Sequence, residues 1–297
     1  NYLTITKIEY TDEVVSYRER IKPFVRDTVS DMHRFVRKGK RILIEGAQGL
    51  LLSVEHGSYP YVTSSDCSLN GTANGVGLPA TAVDLPLGIV KFPFMTRVGA
   101  GPFPTELGGA RSEIYCGEDD HTKLQELGEH GIPYDVVGDE VSYNLQHEKI
   151  VSMMNSRDPF TQGIGIRLAA REYGATTGRP RRTGWVDAVA AKYAVGVNGP
   201  LMILTKPDSI AGADEFNVCY GYRSGQTVTD FNKDERFLRG VTPELKTYEG
   251  YGDIMDVRRN NDLPTSLQEA VGDFEQFTGG RVVAVSVGPD REETIVR

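Results

Sequence analysis

Four short apolar runs, each passing directly into a loop of glycine and small polar residues, limit most sharply what this chain can fold into. Arg41-Ile-Leu-Ile-Glu45 leads into Gly46-Ala-Gln-Gly49, and Leu85–Phe94 leads into the glycine-rich run Thr96–Glu106. Leu201–Leu204 leads into Thr205-Lys-Pro-Asp208, and Val282–Val287 into Gly288-Pro-Asp-Arg291. Runs this short, bounded by turn residues, read as buried strands. Stretches of helical period alternate with them over much of the chain. That alternation predicts an α/β fold with a mostly parallel central sheet flanked by helices. In such a sheet, ligands bind at the loops beyond the carboxyl ends of the strands, which are the four loops just named.

The helical stretches follow from apolar residues at three- and four-residue steps. Val14, Ile21, Phe24, Val25, Val29, Met32, Phe35 and Val36 predict a helix over Asp12–Arg37, kinked or split at Pro23 and stopped near Gly39. Further helices are predicted over Thr122–His130, Gly163–Tyr173, Val186–Val197 and Leu263–Phe277, with Pro264 tolerated in a first turn. Phe216–Tyr222 reads as another strand. The segment Gly57–Pro79 is rich in Gly, Ser, Thr and Asn, and a loop-rich segment of that length inside a domain is usually functional. No repeat and no clean linker divides the chain, so one domain is expected.

Composition removes several function classes. The 297 residues are 39% apolar and carry a net charge of -8, which disfavours a general nucleic-acid binder. No apolar run approaches the roughly 18 residues of a membrane span. The three cysteines, Cys67, Cys116 and Cys219, are far apart and form no C-x-x-C pair, which fits a reducing cytoplasm rather than a disulfide framework. The five histidines have no metal-site spacing.

Two loops carry sharper chemistry. A carboxylate such as Asp208 can accept two hydrogen bonds from guanine N1–H and the 2-amino group, donors that adenine lacks, while a lysine stem lies over the base. Four letters alone do not separate this from a strand-end turn with an exposed salt bridge. The loop Ala175-Thr-Thr-Gly-Arg-Pro-Arg-Arg182 sets three arginines beside two hydroxyls and a glycine. Guanidinium groups match carboxylate and phosphate oxygens in pairs, so the cluster suggests an anionic ligand. There is no G-x-x-x-x-G-K-[ST] phosphate loop, no G-x-G-x-x-G opening a helix and no nucleophile elbow. Glu45, Glu106 and Asp187 lie near the loops, but sequence does not pair them as acid and base. The residues themselves reach an α/β protein that binds anions and purine nucleotides.

Read in order, these pieces resemble the adenylosuccinate synthetase family. The resemblance is carried by Glu45–Gly49, Gly57-Ser-Tyr-Pro-Tyr-Val-Thr-Ser-Ser65, Thr96–Glu106, the run from Gly174 to Asp187, Thr205–Asp208 and Gly288–Arg291, and it covers most of the chain. It implies the family's P-loop-related α/β fold and a ligase that forms a C–N bond, joining L-aspartate to IMP with GTP and Mg2+ in purine biosynthesis. GTP would phosphorylate the purine O6, and the aspartate amine would displace phosphate at C6. By the same resemblance Gln48, Thr63, Val98 and Arg179 would bind IMP. Ala175, Thr176, Thr177, Gly178, Arg179, Pro180 and Arg181 would form the aspartate loop. Arg181, Lys206, Pro207, Asp208, Ser286, Val287 and Gly288 would hold GTP. A cytoplasmic homodimer is the implied assembly.

Two departures qualify the resemblance. The family's N-terminal phosphate loop, with its aspartate base and a magnesium ligand, is absent from the sequence, as is the histidine acid that follows it. The resemblance therefore assigns no catalytic and no metal-ligating residue to this chain, and places the Mg2+ ligands mainly in the missing N-terminal part. Since Asn1 rather than Met opens the sequence, the expectation is an N-terminally incomplete portion, inactive alone. Residues 110–160 are polar and acidic, and read as an insertion forming a surface excursion. Two alternatives remain at this stage: a viral-type relative acting on dGMP, and a non-catalytic nucleotide-binding remnant.

Overall fold

The structure, a computed structural model, describes residues 12–118, 121–138, 140–175 and 178–297. Its first part is α1 (Asp12–Ile21), a 3-10 turn at Lys22–Phe24, and α2 (Thr28–Arg37). The split falls at Pro23, whose ring leaves no N–H for the helical ladder. Asp27 caps α2 by accepting a hydrogen bond from the Ser30 N–H at 3.1 Å. Gly39 at φ +62° ends it, as expected. Residues 41–45 are not a strand: they have no regular structure, and Leu43 is 94% exposed. The apolar run was legible, but among the described residues no strand runs beside it to pair its backbone. A short α3 (Leu69–Gly75) follows, capped by Ser68, whose hydroxyl accepts from the Gly71 N–H.

The predicted strand at Leu85–Phe94 is two strands, β1 (Gly88–Lys91) and β2 (Phe94–Arg97), broken at Phe92-Pro93 and placed in different sheets. Next come α4 (Gly109–Gly117), α5 (Lys123–Glu129), a hairpin of β3 (Tyr134–Val137) and β4 (Glu140–Tyr143), α6 (Glu148–Met154) and α7 (Pro159–Ala170). The expected surface excursion does not hold here. Leu127, Ile132, Tyr143, Ile150, Met153 and Phe160 are buried in the main core. Ile150, Met153 and Met154 fall on one face of α6, which gives that helix an apolar side despite the polar composition of the segment.

The remainder is β5 (Arg182–Asp187), α8 (Ala188–Asn198), β6 (Leu201–Thr205), β7 (Glu215–Ser224), β8 (Gln226–Val228), α9 (Glu235–Gly240), β9 (Thr242–Glu249), α10 (Thr265–Thr278), β10 (Arg281–Ser286) and β11 (Thr294–Val296). Strands β1, β6 and β10 run parallel in that spatial order, with β11 antiparallel at the far edge. The second sheet, β2-β5-β7-β8 with β9 on β7, is antiparallel except between β5 and β7. The α/β fold is thus as expected, while parallel pairing is concentrated in one sheet. Helix α10 lays Leu267, Ala270, Val271 and Phe274 into the core, where Phe274 meets Phe92 edge-on at 5.4 Å. Register fixes what matters for a site: Lys91 lies opposite Thr205, and Thr205 opposite Ser286. Three parallel strands therefore end in line and release their loops together.

Candidate functional site

Two of those loops are Thr205–Asp208 and Ser286–Gly288. Lys206 takes the left-handed conformation, φ +67°, which is uncommon for a residue with a side chain. Its Nζ donates to the Ala170 carbonyl at 2.6 Å and lies 3.3 Å from Glu172 Oε1. Pro207 is buried, and its carbonyl accepts from the Tyr251 hydroxyl at 3.0 Å. Asp208 is half-buried. Burial pushes its carboxyl above the usual range, opposed by its own backbone N–H and by Lys206. Among the described residues no side-chain donor reaches that carboxylate. Across the strand ends, the Ser286 hydroxyl donates to the Gly288 carbonyl at 2.9 Å, and Val287 is buried. A Cβ at Gly288 would come within 2.3 Å of Glu293 Oε2, so the end of that side chain packs directly over the turn.

The arginine loop leaves α7 and returns into β5. It is closed by backbone bonds from Gly174 N–H to Arg179 O and from Gly178 N–H to Gly174 O, at 2.8 and 2.9 Å. Gly178 sits at φ +68°. Pro180 is buried, Ala175 is exposed, and Arg179 is partly buried. Thr176 and Thr177 lie outside the described residues. Arg181 donates through Nη1 to Glu172 Oε2 at 2.7 Å, and its buried Nε–H has no protein partner among the described residues. Lys91, at the end of β1, reaches the same oxygen at 2.6 Å. One carboxylate, only 2% exposed, thus gathers Lys91, Arg181 and Lys206. Burial alone would raise the Glu172 carboxyl, but the charges of Lys91 and Lys206 and the Arg181 hydrogen bond hold it below the usual range.

The third arginine of the loop has a different place. Arg182 opens β5 and is buried, with Nε donating to Glu106 Oε1 at 2.7 Å and Nη1 to the Gly99 and Gly101 carbonyls at 3.0 and 2.8 Å. It ties the glycine-rich loop after β2 to the arginine loop. Glu106 is committed to that ion pair. Asp187 caps α8 through the Ala190 N–H at 3.0 Å and accepts from the Tyr222 hydroxyl. Neither is free as an acid–base pair. Val98, on the loop that Arg182 holds, is 57% exposed.

Gln48 and Thr63 come together at a small polar cluster. Gln48, left-handed at φ +58°, accepts at Oε1 from the Ser65 hydroxyl at 3.3 Å. Thr63 bonds the same hydroxyl at 3.0 Å and donates to the Leu52 carbonyl at 2.9 Å. Arg97, the last residue of β2, links this region to the others by donating to the Tyr61 carbonyl at 3.2 Å. Among the described residues no three carboxylate, imidazole or thiol groups converge as a metal site would need. No metal step is therefore assigned to them.

The family model for adenylosuccinate synthetase matches residues 2–295 of the chain. The chain belongs to the adenylosuccinate synthetase family. It is 36% identical over 291 residues to adenylosuccinate synthetase of Frankia alni, covering 97% of this chain and 56% of the relative. It is 38% identical over 287 residues to that of Myxococcus xanthus, covering 96% and 54%. The fully ligated adenylosuccinate synthetase of Plasmodium falciparum superposes with a TM-score of 0.74 at 26% identity, over 97% of this chain and 59% of that one. The chain thus spans about half the length of the curated relatives it matches.

Several residues that hold these loops in this member of the adenylosuccinate synthetase family were not singled out in the sequence. Glu172 and Lys91 are two. A lone acid directly before an arginine-rich loop was the available signal for the first. A second set is Glu126, Arg167 and Tyr173. Arg167 Nε donates to Glu126 Oε2 at 3.0 Å, the Tyr173 hydroxyl donates to the same carboxylate, and Arg167 Nη1 donates to the Arg181 carbonyl at 3.1 Å. The Lys123 N–H also donates to the Gly178 carbonyl at 3.3 Å. Helix α5, in the segment read as an insertion, therefore braces the arginine loop from behind.

Proposed function

We propose that this chain supplies the GTP, IMP and L-aspartate contacts of an adenylosuccinate synthetase, a GTP- and Mg2+-dependent ligase of AMP biosynthesis. In that reaction the γ-phosphoryl group of GTP passes to the purine O6, releasing GDP. The aspartate amine then attacks C6, and phosphate leaves. Asp208 accepts the two guanine donors, Lys206 lays its stem beside the base, and Pro207, Ser286, Val287 and Gly288 close around it. Arg181 directs its Nε–H, which has no partner among the described residues, to the GTP phosphates. Ala175–Arg181, including Thr176 and Thr177, take the aspartate carboxylates, with Arg179 also at the ribose. Gln48, Thr63 and Val98 line the IMP side. Fixed cations aimed at developing phosphoryl charge lower the barrier because they need no reorganisation during the reaction. No residue of this chain is assigned as base, acid or metal ligand. The working form is a cytoplasmic homodimer, and residues near 110–160 are an insertion.

The observation that carries this reading is the half-buried Asp208 carboxylate, which no side-chain donor among the described residues reaches, at the aligned ends of β6 and β10. The comparisons lend the viral-type dGMP reading no support. Calorimetric titration of the chain with GTP and with ATP tests the assignment. GTP-selective binding that is lost in Asp208→Ala supports it. Equal binding of the two nucleotides, or no GTP binding by the folded chain, overturns the guanine assignment.

A further inference from the structure

The Glu172 carboxylate joins three segments far apart in sequence. Lys206 belongs to the loop after β6, Arg181 to the arginine loop, and Lys91 to the end of β1. Thr96 of β2 also bonds Lys91 Nζ at 2.8 Å. The geometry is divided between the two oxygens: Oε1 faces Lys206 at 3.3 Å, and Oε2 takes Arg181 at 2.7 Å and Lys91 at 2.6 Å.

The charge count is uneven. One carboxylate faces three cations, which leaves an excess of two positive charges in a chain whose net charge is -8. If charge were all that mattered, removing the carboxylate would make the place more attractive to an anion. The backbone points to a different role. Lys206 is held left-handed, a conformation that a residue with a side chain keeps only where its surroundings enforce it. From that backbone, the Nζ bonds to Ala170 O and Glu172 draw the head of the side chain back against the end of α7.

We propose that Glu172 is a positioning residue that sets the guanine-side loop and the arginine loop in one register by holding Lys206 with one oxygen and Arg181 with the other. This rests on the reading above for the identity of the ligands. The polyanion arm of the test does not rest on it.

The test is calorimetric titration of the wild-type chain, Glu172→Gln and Glu172→Asp with tripolyphosphate, GTP and ATP, with near-ultraviolet circular dichroism to establish folding. Positioning predicts that Glu172→Gln binds tripolyphosphate at least about tenfold more weakly, although the variant is more positive; tenfold corresponds to about 1.4 kcal/mol. Glu172→Asp keeps the charge and shortens the reach by one methylene, so positioning predicts an intermediate loss, whereas charge alone predicts none. It also serves if the Gln variant fails to fold. Tighter tripolyphosphate binding by Glu172→Gln, unchanged binding by Glu172→Asp, or no tripolyphosphate binding by the folded wild type each overturns the proposal. Loss of GTP-over-ATP selectivity in the wild type, with the tripolyphosphate pattern intact, overturns the guanine assignment and leaves the positioning role standing.

Discussion

Residues 12–87 and residues 88–297 are held in place by different forces. Both buried apolar clusters are drawn from residues at and beyond Phe92. Before residue 88 the buried apolar side chains among the described residues are Ala73 and Leu78, while Phe24 is 79% exposed. Polar contacts fix the first part instead. His33 Nε2 meets Gly77 O at 2.9 Å, the Leu69 N–H donates to Asn198 at 2.9 Å, and His56 Nδ1 meets the Tyr193 hydroxyl at 2.8 Å. The proposed site straddles the two parts. Gln48 and Thr63 stand on the thinly packed part, and Asp208 and the arginine loop stand on the densely packed one. Regions with few buried apolar contacts open locally at low free energy. On the proposed reading, Gln48 and Thr63 stand where local opening costs least, and Asp208 and the arginine loop where it costs most.

The largest effect is expected behind the arginine loop. Glu126→Ala leaves the Arg167 guanidinium buried without its carboxylate, and breaking a buried pair in this way costs about 3–5 kcal/mol. A urea unfolding midpoint measures it, and an unshifted midpoint would mean that the dense part does not depend on this pair. Core truncation sharpens the same contrast. Phe92→Ala removes a fully buried ring and should cost about 3–5 kcal/mol. Phe24→Ala, at an exposed ring, should stay within about 0.5 kcal/mol. Equal effects from the two would erase the distinction drawn above.

A smaller effect comes from Asp187, buried at the start of α8. Burial raises its carboxyl to about 6 from the ordinary 3.8, against the Tyr222 and helix N–H bonds that lower it. Its folded value is the higher one, so its contribution is fully present below pH 3.8 and is lost as pH rises through about 6. One proton gives at most about 1.4 kcal/mol per pH unit. Unfolding midpoints between pH 4 and 7 should fall with rising pH in the wild type and flatten in Asp187→Asn. A slope unchanged in the variant would remove Asp187 as the cause.

The sequence was most legible where local chemistry and tertiary structure agree. Pro23 split its helix, Gly39 stopped one, and β6 and β10 with their loops fell where short apolar runs met turn residues. It misled where pairing partners decide. Arg41–Glu45 has the residues of a strand, but no described neighbour pairs with it. Strand β5 carries Thr183, Trp185 and Val186, but Arg182, Gly184 and Asp187 mask it; it is buried throughout, with Glu106 answering the buried Arg182. The site followed the same rule. Residues in motifs could be named, whereas Glu172, Lys91 and Glu126 owe their importance to long-range contacts that no spacing reveals. Residues 110–160 looked like surface because their polar composition hides the apolar faces of α5 and α6.

The finest contrast uses the same cap in both parts. Asp27 begins α2 and Asp158 begins α7, each accepting from the N–H three residues on, at 3.1 and 3.3 Å. Both carboxyls are held below the usual range, with the first contribution from the hydroxyl of Ser30 and of Thr161 respectively. A depressed value means that each cap contributes above the ordinary carboxylate range and is lost as pH falls through its folded value. Asp158→Ala should lower global stability by about 1 kcal/mol, because α7 melts only with the core that contains Ile164, Ile166 and Leu168. Asp27→Ala should leave the global midpoint where it is and instead speed amide exchange within residues 28–37, because α2 has no buried residue to bind its unfolding to the rest. A midpoint that falls equally in both variants would make the chain one cooperative unit, and the acceptor side of the site as firmly held as the guanine side.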